Sequence, residues 1–151
     1  MQRTAPAGYD SDFTRWAQEQ AAALREGRFA DLDMPHLLEE IDDLSRSERR
    51  ELASRLTVLT MHLLELRYQP ERASGSRRGT VIEQAAYVRR VLKDSPSLRP
   101  EMPAFITEAY VDARPQAAAE TAIPIATFSE APTPEFERAL QAVLAGEDFG
   151  F

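Results

Sequence analysis

Leu52, Leu56, Leu59, Leu63 and Leu66 recur at alternating intervals of four and three, which places all five on one narrow face of an α-helix. The stretch that holds them, Asp33 to Pro70, carries the longest helical pattern in the chain. A face this apolar requires partners, and the flanking segments supply them.

Ahead of this stretch, residues 1–8 read as a loose terminus, and Asp10 is placed to cap a first helix with Asp12 in its opening turn. Phe13, Trp16, Ala17 and Leu24 mark its apolar face, Gly27 suits a left-handed stop, and Phe29 is expected to fold back onto the same core. The second helix starts at Asp33, with Leu32 and Leu37 spaced as a hydrophobic staple; Leu37, Leu38, Ile41 and Leu44 form its expected inner face and Glu39, Glu40, Asp42 and Asp43 its wet one. The apolar pattern lapses over residues 45–51, where Ser45 and Glu48 have capping-box spacing, so a break or kink is expected there, with one continuous helix as the competing reading. Past Pro70 the glycines at 75 and 79 predict a loop, then a helix from about Thr80 to Lys93. Another helix follows Pro100, with Met102, Phe105, Ile106, Ala109, Tyr110 and Ala113 at core spacing, and Pro115 is expected to kink or end it. Residues 122–133 read as an extended segment anchored by Ile123, Ile125 and Phe128, and residues 134–151 as a short helix stopped at Gly146 plus an aromatic tail with Phe149 and Phe151. The expected fold is all-α, a single domain over 1–151 with five or six helices bundled around a long central amphipathic helix.

Composition narrows the function classes. The chain has no cysteine, which removes disulfide frameworks, thiolate metal sites and cysteine nucleophiles, and a cytoplasmic location is the expectation. No stretch of about 18 apolar residues exists to span a bilayer. The net charge of −7 argues against general nucleic-acid binding, because neutralising phosphates supplies most non-specific affinity. The charge is uneven: Arg67, Arg72, Arg77, Arg78, Arg89, Arg90 and Lys93 give residues 67–93 a local +5, a basic patch on an acidic body and a candidate interaction surface.

Few residues could carry chemistry. Arg55 and His62 share a helix face and resemble the arginine–histidine signature of HEPN-type ribonucleases, in which imidazole moves protons and guanidinium holds phosphate charge. About 10 Å of helix separates them, however, and Leu56 is apolar where that signature has a polar residue. His36 with Glu39 and His62 with Glu65 have the order opposite to that of di-iron bundles. The acids at 39, 40, 42 and 43 lie in no calcium-binding loop. No cofactor or metal site is predicted.

Residues 9–29, residues 37–72, the segment 94–100 and residues 108–118 together resemble the bacterial family known as domain of unknown function 29, most specifically from Ser47 through His62 to Pro70. The resemblance implies a small helical protein of unassigned role and brings no catalytic residue with it. Glu65 stands where that family commonly has lysine, Arg77 where it has tryptophan, and Pro115 interrupts a helix usually free of proline. The sequence therefore favours a non-enzymatic protein-interaction or self-association module, its partner another protein or a second copy; the alternative is a metal-independent ribonuclease using Arg55 and His62.

Overall fold

A computed structural model describes residues 8–150, and among them the chain is all-α: five α-helices, four short 3-10 turns and no strand. It forms two compact units, residues 1–47 and 48–151, where the sequence reads as one domain.

The first unit is a helical hairpin. α1 runs Phe13–Arg25 and is capped by Asp12, not Asp10: the Asp12 carboxylate accepts from the Arg15 N–H. Gly27 ends it in the left-handed region (φ 71°), where the Arg28 N–H reaches the Ala23 carbonyl at 2.9 Å and closes a Schellman turn. A 3-10 turn at Phe29–Asp31 leads into α2, Met34–Tyr68. Trp16, Gln20 and Ala23 are the buried residues of α1, and Trp16 Nε1 donates to Asp33 at 3.1 Å. Two further expectations fail here. Phe29 does not fold back, being 68% exposed. Most of the expected inner face of early α2 is not inward either: Leu37 is half-buried, but Leu38, Ile41 and Leu44 are 57%, 60% and 71% exposed; of the acids expected to be wet, Glu39 and Asp42 are exposed and Glu40 and Asp43 half-buried.

α2 does not break at residues 45–51. That segment holds no glycine or proline, its glutamates and arginines are good helix formers, and Arg46 reaches back to Asp43 at 2.6 Å, so the capping-box spacing goes unused.

The second unit packs the later part of α2 against α3 (Gly75–Asp94), α4 (Met102–Thr121) and α5 (Pro134–Ala145). Leu52, Leu56, Leu59, Leu63 and Leu66 are all buried, as their spacing predicts, in a core shared with Val81, Val88, Tyr110 and Leu140. α3 starts five residues before Thr80, because the Ser74 hydroxyl caps it by accepting from the Arg77 N–H at 3.2 Å. The expected loop is thus the first turns of a helix. α4 continues through Pro115 to Thr121; the carbonyl that proline leaves without a partner is that of Val111, whose side chain is 60% exposed, so water can satisfy it. α4 ends on Ala122 with φ 55°, left-handed without being glycine. Of the predicted anchors in the following segment Phe128 is buried, Ile123 is half-buried and Ile125 is 44% exposed. Arg114 holds this segment by donating to the Ile125 and Phe128 carbonyls at 3.0 Å each. Phe149 of the tail is buried; Phe151 and the first seven residues lie outside the described chain.

Candidate functional site

The two residues with nuclease-like spacing have separate engagements. Arg55 Nε donates to Glu51 at 2.8 Å and Nη1 to Gln84 at 3.3 Å, while its guanidinium lies 4.0 Å from the centre of the Tyr87 ring. The Glu51 carboxylate raises the Arg55 pKa further above its already high value. His62 lies one full heptad further along α2 and places Nδ1 3.0 Å from Glu65 Oε2. Arg77 Nε approaches that same oxygen at 3.0 Å. Glu65 is 2% exposed, so a carboxylate sits inside the second unit between an imidazole and a guanidinium. Glu65 and Arg77, two of the three positions at which the sequence reads as departing from the family pattern, pair with each other. That pairing was available from the sequence as two simultaneous departures of opposite charge. A groove of about 930 Å³ between α4 and α5 is lined by Pro103, Ile106, Thr107, Leu140 and Gln141 among others, and neither Arg55 nor His62 borders it.

The basic patch is largely spent on internal ties. Arg67 bonds Glu135 at 2.5 Å, and Arg89 donates to the Val143 carbonyl at the C-terminal end of α5, where a cation is favoured. Arg78 and Arg90 lie over the rings of Phe149 and Tyr87 at 5.5 and 5.4 Å. Arg72 and Lys93 are exposed.

In the first unit His36 pairs with Asp33 at 2.7 Å rather than with Glu39. Asp33 also accepts from Trp16, and its backbone N–H donates to Gln20 at 2.7 Å. These contacts hold the Asp33 carboxyl below its usual range, the His36 ring being the main cause, while Asp33 in turn raises the His36 pKa. Tyr9 stacks on His36 with ring centres 4.1 Å apart and donates its hydroxyl to Glu40, which pushes the phenol up to about 12. This polar seam fixes which way each helix of the hairpin faces. Among the described residues no cluster of histidines and carboxylates is arranged to hold a metal ion.

With that seam turned inward, an apolar side is turned outward. Phe13 and Leu24, three helical turns apart on α1, are each 49% exposed, and Met34 joins Leu38, Ile41 and Leu44 on α2 at 50%. At 100° per residue both stripes lie on the same side of an antiparallel hairpin. The sequence shows these residues as apolar but gives no sign that nothing in their own unit covers them.

Among the described residues no helix is long and apolar enough to cross a membrane. No curated protein and no solved structure matches the chain. The family whose pattern does match, described as Domain of unknown function DUF29, spans residues 9–144, nearly the whole of both units, and the chain belongs to it.

Proposed function

We propose that this protein is a non-enzymatic interaction module that docks on a protein partner through the outward apolar side of its N-terminal hairpin. The observation that carries the reading is the run Met34, Leu38, Ile41 and Leu44, each at least half exposed on one side of a helix. Large side chains left open in a row, rather than scattered singly, mark an interaction surface. The engagement of Arg55 with Glu51, Gln84 and Tyr87, and of His62 with Glu65, supports structural duty for both residues.

The test is the mass at which the tagged chain migrates in extracts of its own cells at native abundance. The wild type is expected well above 17.0 kDa and Ile41→Glu at the monomer position. A wild type that runs as a monomer, or a variant that co-migrates with it, overturns the proposal.

A further inference from the structure

We infer that the occupant of this apolar side is a second copy of the chain, the two hairpins closing into a four-helix bundle about a two-fold axis parallel to the helices. The inference rests on the docking role proposed above and names its partner. Three observations carry it.

The first is area. From their exposed fractions, the six residues Phe13, Leu24, Met34, Leu38, Ile41 and Leu44 together leave on the order of 600 Å² open. Doubled by symmetry and widened by the rim, that approaches the roughly 1,200 Å² or more of a specific interface. The second is shape. A two-helix layer that is apolar on one side is half of a four-helix bundle, and a two-fold interface requires the same patch on both copies.

The third observation is charge, and it selects the arrangement. Helical phase puts Asp42 on the outer edge of the α2 stripe, about 40° round from Leu38, while Glu39 lies on the opposite side beside the His36 seam. The outer edge of the α1 stripe holds Thr14, Gln18 and Arg25 and no carboxylate. An axis parallel to the helices lays α1 of each copy over α2 of the other, so each acidic edge meets an uncharged or basic one. An axis across the helices would instead stack α2 on α2 and oppose acid to acid, which is unfavourable.

The purified full-length protein is examined by sedimentation at tens of micromolar. The expected result is a species of twice 17.0 kDa, reduced to 17.0 kDa in Ile41→Glu with unchanged circular dichroism. Because the chain has no cysteine, single thiols report position cleanly. Thr14→Cys chains mixed with Asp42→Cys chains are expected to give a heterodimer with a bis-maleimide, whereas Thr14→Cys alone gives none. A purified wild type that is monomeric overturns the second-copy assignment, and if it still migrates above monomer mass in extracts the docking role stands with a different partner. A dimer that cross-links through Leu38→Cys alone and not through the Thr14/Asp42 mixture overturns the proposed axis.

Discussion

Replacing Arg77 by methionine keeps most of the stem of that side chain but strips the guanidinium from a carboxylate that is only 2% exposed. Glu65 is then left inside the second unit with His62 as its remaining partner, and removing one member of a buried ion pair costs about 3–5 kcal/mol. The Arg77 side chain is 23% exposed, so some water reaches the gap and the lower end, about 3 kcal/mol, is expected. That is a factor of roughly 150 in the folded-to-unfolded ratio. In urea, at a slope of about 2 kcal/mol per molar, the midpoint followed by circular dichroism should fall by about 1.5 M. The double variant Glu65→Met, Arg77→Met behaves differently. It removes the charge and its counter-charge together, and also Arg77 Nη1, which is buried without a hydrogen-bond partner. Its cost should lie within about 1 kcal/mol of zero, leaving a coupling near 2 kcal/mol or more between the two positions. If the single change costs less than about 0.5 kcal/mol, or the double costs as much as the single, the carboxylate is not held in the way described.

Other outcomes follow from the same structure. Ala122→Gly should stabilise the chain by about 0.5–1 kcal/mol in thermal or urea unfolding, since Ala122 is exposed and left-handed (φ 55°) and its methyl group contributes strain without packing. Ser74→Ala should cost about 1 kcal/mol and raise hydrogen exchange in the first turn of α3, where the hydroxyl now receives the Arg77 N–H. The raised His36 pKa makes its contribution to the hairpin fully present below its ordinary value of 6.5 and lost as pH climbs through the higher folded value; the lowered Asp33 pKa makes the opposite contribution, present above 3.8 and lost as pH falls through the lower folded value. Trp16 is the chain's only tryptophan and donates to Asp33, so its fluorescence on unfolding at pH 5.5 and pH 8.5 reads this directly: lower stability at the higher pH, with the difference reduced in His36→Gln. An unchanged difference in that variant would assign the effect to other groups.

The core leucines of α2 were legible because a single period carried them and their cover comes from the same chain. Leu38, Ile41 and Leu44 show the same kind of period, but amphipathicity records only that a face wants cover, and the hairpin turns it outward because Asp33, His36 and Glu40 claim the inward side. The supposed break at residues 45–51 misled because capping-box spacing is permissive: Ser45 and Glu48 start a helix only where the preceding turn has ended. Gly75 and Gly79 disguised the start of α3 in the opposite way, since their weak helix preference is overruled by the Ser74 cap and by the packing that begins at Val81. Pro115 breaks a hydrogen bond without ending α4, because Val111, whose carbonyl loses its partner, is exposed enough for water to reach it. Burial of Glu65 could not be read from hydropathy at all, as it depends on a guanidinium twelve residues away.

The opening of α3 places two glycines within its first five residues, each disfavouring a helix by about 1 kcal/mol relative to alanine. That turn is therefore clasped from outside, by a hydroxyl at one point and by Glu65 gripping Arg77 at another. A coil secured by its grips rather than by its own inclination is where thermal agitation should first peel the domain open, and the first charge to get wet would be one that the folded interior had hidden.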